Sequence, residues 1–280
     1  MGRRAGVSDF MKRLHLFEFE DQPWFPSVIR DAGTAYLRHM FEMTGHAALM
    51  VPTLTEALAA AKSRRIVDLC SGGGGPIFIA VRELRRSGVR VHATLTDRYP
   101  SHEAFRHLEH ASEGAIGFVE SPVDARQVPP DLRGLRTLFN ALHHFRPDEA
   151  REILRDAARN DIPIAVFEIV GRELFCMFGI LFSWLAVLLV MPFIRPLRPS
   201  WIFFTYVIPV IPLFVLWDGV VSCLRVYSLR ELETLVAPLR EEFPGYEWKP
   251  DRVRLGKAPA HAITLLGRPT RLCSPHEGAR

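Results

Sequence analysis

The run IVDLCSGGGGP, from Ile66 to Pro76, is the most informative part of this sequence. Its apolar first half is typical of a buried strand. The glycines that follow predict a tight turn, because glycine adopts positive φ angles at little cost and lets the backbone approach a ligand closely. Pro76 suits the first turn of a helix, where its missing N–H is no loss. The run therefore predicts a strand, a ligand-binding turn beyond the carboxyl end of that strand, and a helix.

Short apolar runs alternate with helical patterns through the middle of the chain. This alternation is typical of βαβ units and predicts an α/β fold, Rossmann-like and doubly wound, in which a mostly parallel sheet carries helices on both faces. Gly88 and Gly114 are placed to end two of the helices. We expect strands near 65–69, 90–95, 116–120, 136–141 and 162–168, and helices near 76–87, 101–112 and 147–159.

Four regions follow one another along the chain. The first shows helical patterns, including the stretch FMKRLHLFEF at 10–19, and the last predicts a helix over 228–243 and strands near 246–254 and 261–267. We expect a helical amino-terminal lid at 1–62, a cofactor-binding α/β core at 63–172, an apolar helical insertion after strand five at 173–217, and the remainder of the core at 218–280.

The insertion has no charged residue from Leu174 to Ile194 or from Pro199 to Trp217, and Arg195 and Arg198 lie between these two runs. A helix over the first run would be about 31 Å long, close to the thickness of a bilayer core. A hairpin that crossed the membrane would place both arginines on the far side, against the positive-inside tendency. We therefore expect shallow insertion at a membrane surface, with a buried helix pair or an apolar substrate tunnel as alternatives.

The composition bears on partners and compartment. Of the 280 residues, 48% are apolar and 24% charged, and the net charge is +4. Because this excess is small and dispersed, nucleic acid is not an expected partner. The chain has no apolar signal segment at 1–13, and its cysteines are too far apart for a zinc site or a disulfide framework. We expect a cytoplasmic protein at the inner face of the membrane. The cysteines are Cys70, Cys176, Cys223 and Cys273.

Two ligand classes compete for the glycine turn. A dinucleotide-binding G-x-G-x-x-G motif that starts at Gly72 fails because Ile77 holds the last position, and the G-K-[ST] of a P-loop is absent. The remaining pattern, DLCSGGG from Asp68 to Gly74, resembles motif I of class I S-adenosylmethionine-dependent methyltransferases. Its acid and its glycines at 72 and 74 match that motif, whereas Cys70 stands where the family often has a glycine.

Three later segments resemble the same family in the same order. Asp97 ends the second predicted strand, where the family places an acid on the ribose hydroxyls, and a carboxylate accepts two hydrogen bonds from such a diol. Residues 123–125 resemble the segment that lines the adenine, and 138–145 (LFNALHHF) resembles the end of strand four in small-molecule methyltransferases. The resemblance covers about 65–170 and implies S-adenosylmethionine as cofactor. The implied binding residues are Asp68, Ser71, Gly72, Gly74, Asp97, Asp124, Ala125 and Asn140.

His143, His144 and Glu168 are the candidate catalytic residues. Methyl transfer from an activated cofactor needs positioning, and it needs a base when the acceptor is a hydroxyl or an acidic amine. Imidazole has a suitable pKa, but adjacent residues of an extended segment point to opposite sides, so at most one histidine should face the ligand. Glu168 ends strand five at the same edge of the sheet, with an ion pair to Arg172 as its structural alternative. We expect Asp218, which follows the apolar block, to cap a helix or to contact the substrate.

These observations predict S-adenosylmethionine-dependent methyl transfer to a small, apolar or lipid-like acceptor reached at the membrane surface. The alternatives are an NAD(P)-dependent oxidoreductase, a membrane-attached binding protein that keeps the fold without turnover, and cofactor-dependent cyclisation or elimination. No metal is expected, because the four candidate ligands of one predicted helix do not share a face. They are His102, Glu103, His107 and His110.

Overall fold

Seven strands form one sheet in the computed structural model, which describes residues 12–256 and 261–270. Their order across the sheet is β3-β2-β1-β4-β5-β7-β6, and β7 runs antiparallel to its neighbours β5 and β6. Residues 1–11 and Cys273 lie outside the described residues. The strands are β1 (Arg65–Asp68), β2 (His92–Leu95), β3 (Ile116–Phe118), β4 (Leu135–Phe139), β5 (Ile164–Glu168), β6 (Tyr246–Arg254) and β7 (His261–Pro269).

Ten α-helices accompany the sheet in the described part of the chain. A π-helical turn at Phe203–Val207 joins α8 to α9, and a short 3₁₀ helix at Leu142–His144 follows β4. The helices are α1 (Ser27–Thr44), α2 (Val51–Ala61), α3 (Gly75–Arg86), α4 (His102–Ala111), α5 (Pro147–Arg159), α6 (Leu174–Leu181), α7 (Ser183–Val190), α8 (Pro199–Ile202), α9 (Val210–Arg225) and α10 (Leu229–Glu242).

Both faces of the sheet are covered. Ile66 packs in one hydrophobic cluster with α2, α3 and α4, and the next residue, Val67, packs in a second cluster with α5 and α10. Successive side chains of a strand point to opposite faces, so a strand covered on both sides must be apolar throughout. This requirement explains the apolar run of β5 from Ile164 to Phe167. The buried polar residues of β4 have partners instead: Arg136 pairs with Asp156, and the Thr137 hydroxyl donates to Asp68.

The predicted fold is confirmed. The sheet is mostly parallel with helices on both faces and has the arrangement of the class I methyltransferase fold. The seven strands, and the four helices whose bounds were predicted, begin and end within two residues of the predicted positions. The helical prediction for 10–19 is wrong, because residues 12–18 are irregular. The backbone of this segment forms hydrogen bonds with α9 and not the internal bonds of a helix. For example, the Leu14 N–H donates to the Leu224 carbonyl at 3.1 Å.

Helix α1 lies directly against the glycine-rich turn. A Cβ added to Gly73 would come within 2.3 Å of Thr34 Cγ2, and one added to Gly75 would come within 2.9 Å of Arg38 Cα. Real Cβ atoms do not approach other heavy atoms so closely, so α1 packs here only because these positions lack side chains. The glycines therefore bring the amino-terminal helix over the turn, in addition to shaping the turn itself.

The insertion after β5 is a set of bent apolar helices. Helices α6 and α7 meet at 45°, and the segment Pro199–Val207 meets α9 at 79°. Among the described residues no single helix is long and apolar enough to cross a membrane, although each bent pair meets that criterion as a unit. The insertion exposes large apolar side chains, and the most exposed are 61% to 68% accessible. They are Leu174, Phe178, Leu189, Phe193, Val207 and Leu213.

Candidate active site

The glycine-rich turn opens toward the space beyond β1. Cys70, Gly72 and Gly74 have positive φ angles of 55°, 53° and 65°. Cys70 occupies the position at which motif I often has a glycine, and it adopts the backbone conformation that glycine favours. A Cβ added to Gly72 would meet no heavy atom within 4 Å, so open space borders the backbone there. The turn leaves room for a ligand at its second glycine position.

Asp68 lies beneath this turn and shapes it. Its side chain is 2% exposed, and its two carboxylate oxygens accept hydrogen bonds from the Thr137 hydroxyl at 2.6 Å and the Ser71 hydroxyl at 2.8 Å. Burial raises the pKa of Asp68 to about 7, although both hydroxyls favour the charged form. Asp68 and Ser71 are brought together as predicted, and their side chains bond to each other beneath the turn.

Asp97 reaches the turn from the end of β2. One carboxylate oxygen accepts the Gly72 N–H at 2.9 Å, and the other accepts the Tyr99 N–H at 2.8 Å. Each carboxylate oxygen has two lone pairs, so each retains the capacity to accept a further hydrogen bond. Asp97 is half-buried, which leaves it accessible to a ligand at the turn. The arrangement suits a ligand with two adjacent hydroxyl donors.

The remaining predicted cofactor residues lie at the same edge of the sheet. The Val123 N–H donates to the Asp97 carbonyl at 2.8 Å, which brings Asp124 and the buried Ala125 close to the turn. A hydrogen bond from Arg126 lowers the pKa of Asp124, and the two side chains are 2.6 Å apart. This local ion pair is an interaction that the sequence analysis did not include.

Asn140 joins the ends of β4 and β5. It has a positive φ of 47°, and its Oδ1 accepts the Ile169 N–H at 2.6 Å. Its own N–H donates to the Phe167 carbonyl at 2.7 Å. Asparagine tolerates this left-handed conformation better than most residues, so Asn140 turns the chain toward the two histidines that follow.

His143 and Glu168 form a buried pair. Both side chains are 2% exposed, His143 Nδ1 lies 2.7 Å from Glu168 Oε2, and the His143 N–H donates to Glu168 Oε1 at 3.1 Å. A carboxylate bonded at Nδ1 favours the tautomer with a proton on that nitrogen, and Nε2 then carries the lone pair. His143 Nε2 is buried and has no hydrogen-bond partner among the described residues. The pair thus presents a ring nitrogen that is free to accept a proton. The predicted ion pair between Glu168 and Arg172 does not form, and Arg172 bonds to Glu231 instead.

His144 belongs to a separate charged network. Its Nδ1 lies 2.8 Å from Asp21 and 3.2 Å from Glu18, and both carboxylates also pair with Arg225. Burial disfavours the charged imidazolium, but the two carboxylates outweigh it and raise the pKa of His144 to about 10. His144 is therefore held as a cation near neutral pH, with its proton directed at the carboxylates.

The expectation that the two histidines point to opposite sides is wrong. Their rings stack with centroids 4.4 Å apart and planes 29° apart. The reason is the 3₁₀ turn at 142–144, since an extended backbone was the premise of the prediction. The two side chains consequently lie side by side.

Three of these side chains are close enough to suggest a metal site. Glu18, His143 and His144 each offer a ligand atom within 4.8 Å of the others. Glu18 already lies 3.2 Å from His144 Nδ1 within this group. Arg225 also brings a positive charge to the Glu18 carboxylate, at 3.0 Å.

The amino-terminal segment contributes to the site in a way that the sequence did not reveal. Glu18 and Asp21 lie in the charged network, and the only signal was the acidic cluster EFED at 18–21, which has no fixed meaning by itself. The prediction that Asp218 caps a helix is wrong, because it lies within α9 and accepts the Phe19 and Glu20 N–H groups at 2.9 Å each. Its alternative, a contact with the substrate, stays a prediction.

Comparisons with known proteins give the fold its context. No family model matches the sequence, and no curated protein matches it. Among solved structures, the mitomycin 7-O-methyltransferase MmcR superposes with a TM-score of 0.46 at 18% identity, over 81% of this chain and 53% of its own length. The plantazolicin methyltransferase BpumL, in complex with SAH, gives 0.48 at 12% identity, over 90% and 92%.

A third structure, an O-methyltransferase family protein from Burkholderia thailandensis, gives a TM-score of 0.49 at 18% identity, over 86% of this chain and 59% of its own. This chain thus spans a little over half the length of two of the three proteins. Because the identities are low and each of these TM-scores is below 0.5, no residue role is transferred from them.

Thr137→Val tests the structural role of Asp68. The variant keeps the side-chain shape but removes a hydroxyl donor, so we expect the free energy of unfolding to fall by about 1–3 kcal/mol. The raised pKa of Asp68, about 7, means that its carboxyl group in the folded protein is protonated near pH 5 and charged near pH 8. A hydrogen bond to a charged carboxylate is stronger than one to a neutral carboxyl group. The decrease in the free energy of unfolding should therefore be larger near pH 8 than near pH 5.

Urea unfolding at both pH values measures this difference. Thr234→Val is the matched control, because the Thr234 hydroxyl bonds the Arg230 carbonyl at 2.9 Å on an exposed face of α10. We expect this control to leave stability nearly unchanged. Equal losses in the two variants would contradict the structural role given to Asp68.

Proposed function

We propose that this chain transfers a methyl group from S-adenosylmethionine to a hydroxyl or acidic amine of a small, apolar or lipid-like acceptor. The observation that carries the proposal is the position of the buried His143–Glu168 pair, with its unused Nε2, at the sheet edge where Asp97 meets the glycine turn. A dinucleotide would require a third glycine where Ile77 stands, so a nicotinamide cofactor fits less well.

The residues around the turn fit the proposed cofactor. Open space borders Gly72, and Asp97 keeps acceptor capacity on both carboxylate oxygens, which suits the ribose diol. Asp124, Ala125 and Asn140 would hold the rest of the nucleoside, and Asp68 and Ser71 would support the turn from beneath. When bound, S-adenosylmethionine supplies an already activated methyl group, so the protein has mainly to position the acceptor and to remove its proton.

The geometry favours His143 as the base. Its Nδ1 bonds to Glu168, which orients the ring and stabilises the imidazolium that forms when Nε2 takes a proton. His144 is already protonated near neutral pH, because its pKa is raised to about 10, so it is a poor acceptor for a proton. Within this proposal, His144 positions His143 through ring stacking, and Glu168 acts through His143.

We also propose that the insertion contacts the cytoplasmic face of a membrane without crossing it. The exposed apolar side chains of α6–α9 support a lipid partner, since monomeric soluble proteins rarely expose large contiguous apolar surfaces. Arg198, between the two bent helix pairs, bonds to Glu103 of α4 and lies 3.6 Å from Asp31 of α1. A crossing hairpin would carry this arginine about 30 Å away from both helices, so these ion pairs favour shallow contact.

Asp97→Ala tests the cofactor. We expect S-adenosylhomocysteine to bind the wild-type protein and to bind the variant more weakly by about 1–3 kcal/mol, because charge-assisted hydrogen bonds to the ribose are lost. Isothermal calorimetry measures both affinities. Asp131→Ala, at an exposed loop position, should bind like the wild type. Absence of binding by the wild-type protein would refute the proposed reaction at its first step.

His143→Gln tests the base. We expect methyl transfer to slow by about 10²–10⁴-fold while cofactor affinity stays unchanged, because a general base contributes to the transition state and not to cofactor binding. The assay follows labelled methyl groups from the cofactor into the lipid fraction of a membrane extract. His110→Gln, on the exposed side of α4, is the control. If the wild type binds cofactor but labels nothing, the protein is better described as a binding protein without turnover.

Leu189→Glu combined with Phe193→Glu tests the membrane surface. These side chains are 64% and 68% exposed, so the charges should cost the fold little. We expect the wild type to co-sediment with phosphatidylcholine–phosphatidylglycerol vesicles and the variant to bind at least about tenfold more weakly, since each apolar side chain contributes about 1.5–3 kcal/mol on burial.

The matched control is Met43→Glu, which adds the same charge at a 63% exposed apolar residue at the end of α1, outside the insertion. It should bind vesicles like the wild type. Equal binding by the double variant and the wild type would exclude the insertion as the contact surface, and an apolar substrate tunnel would then become the better explanation of the block.

A further inference from the structure

We propose that residues 13–21, here called the strap, form a releasable cover over the His143–Glu168 pair, and that Asp218 and Arg225 of α9 latch it closed. The inference rests on the proposed role of His143 as a base. It adds a conformational step, because the strap must lift before an acceptor can reach that nitrogen.

The burial of His143 requires such a step. Its Nε2 is inaccessible and has no hydrogen-bond partner among the described residues. The His144 ring stacks on the His143 ring, and a Glu18 carboxylate oxygen lies within 4.8 Å of a nitrogen of each ring. Arg13 adds a hydrogen bond of 3.3 Å to the His143 carbonyl. An acceptor hydroxyl therefore has no place beside Nε2 while the strap is closed.

The strap runs along α9 in the antiparallel direction. Its first residues meet the end of the helix, where Leu14 bonds to Leu224, and its later residues meet the middle of the helix, where Phe19 and Glu20 bond to Asp218. Because irregular segments held by side chains open more readily than helices and strands, the strap is the part of the cover best able to move.

Two side chains of α9 supply the latch. Asp218 accepts the backbone N–H groups of Phe19 and Glu20, one on each carboxylate oxygen. Arg225 pairs with Glu18 at 3.0 Å and with Asp21 at 2.7 Å, and Ser222 between them donates to Glu18 at 3.2 Å. The latch is polar, and the Phe19 ring adds contacts with Phe25 and Phe214. These rings belong to a hydrophobic cluster apart from the two that cover the sheet, so the strap can separate from α9 without disrupting the core of the sheet.

The outer side of the strap lies against the insertion. The Phe17 ring lies 5.4 Å from Trp217, whose Nε1–H donates to the Phe17 carbonyl at 3.1 Å. Phe17, Trp24 and Trp217 are 49%, 66% and 40% exposed, so this aromatic group continues the apolar surface of α6–α9. One segment thus presents aromatic rings outward and carboxylates inward, and the cover meets the proposed lipid surface directly.

Asp218→Ala tests the latch through two readings that do not depend on turnover. Hydrogen exchange followed by mass spectrometry should show the Phe19 and Glu20 amides exchanging about tenfold faster or more, since both lose their acceptor. Modification of His143 by diethyl pyrocarbonate, mapped by peptide, should accelerate by a similar factor of about tenfold, because opening exposes Nε2.

The control variant is Glu233→Gln, which breaks the exposed ion pair with Arg240 on α10 and should change neither reading. Amides of β1 and β4 should exchange at wild-type rates in Asp218→Ala, which separates release of the strap from unfolding. Should that variant fail to fold, Glu18→Gln weakens the latch from the strap side, and the same two readings apply.

The proposal is overturned if the strap amides and His143 react at wild-type rates in folded Asp218→Ala or Glu18→Gln. This failure is distinguishable from failure of the proposed function. If the protein binds no S-adenosylhomocysteine but the variants release the strap faster, the latch is supported and the proposed reaction is refuted. If the protein binds S-adenosylhomocysteine but the variants leave the strap unchanged, the proposed reaction stands and the latch is refuted.

Discussion

The buried carboxylate of Asp68 ties together the strands from which the site is built. It ends β1, accepts the hydroxyl of Thr137 on β4, and accepts the hydroxyl of Ser71 in the glycine turn, while the Thr96 hydroxyl beyond β2 donates to the Asp68 carbonyl at 2.8 Å. A buried carboxylate is unfavourable unless such donors surround it, so the three strands and the turn must fit together around it. The position of Asp97, and with it the cofactor side of the site, follows from this arrangement.

Helix α9 connects this polar centre with the apolar insertion. Its exposed residues, including Leu213 and Trp217, belong to the apolar surface, whereas Asp218 and Arg225 hold the charged segment over the histidines. A helix with these two faces places the candidate lipid contact and the residues that hold the strap on one rigid element. Within the proposal, an apolar acceptor would reach the site from the membrane surface that the insertion contacts.

The sheet and the glycine turn could be predicted because they depend on local patterns. Apolar runs, glycine spacing and helix stops are properties of short segments, and they located the strands and Asp97 correctly. The charged network could not be predicted, because Asp21, His144 and Arg225 come from distant parts of the chain and no local pattern records their contact. The helical prediction for 10–19 failed for the same reason, since the backbone of this segment bonds to α9.

The stacked histidines show how charge and access are divided within one site. His144 keeps its proton because Glu18 and Asp21 face it, whereas His143 bonds to Glu168 at Nδ1 and its Nε2 has no hydrogen-bond partner in the described part of the chain. Burial of Nε2 strengthens its electrostatic interactions. The same burial keeps an acceptor out. Within the proposal, the strap resolves this conflict, because it lifts to admit the acceptor and closes again without disrupting the core of the sheet.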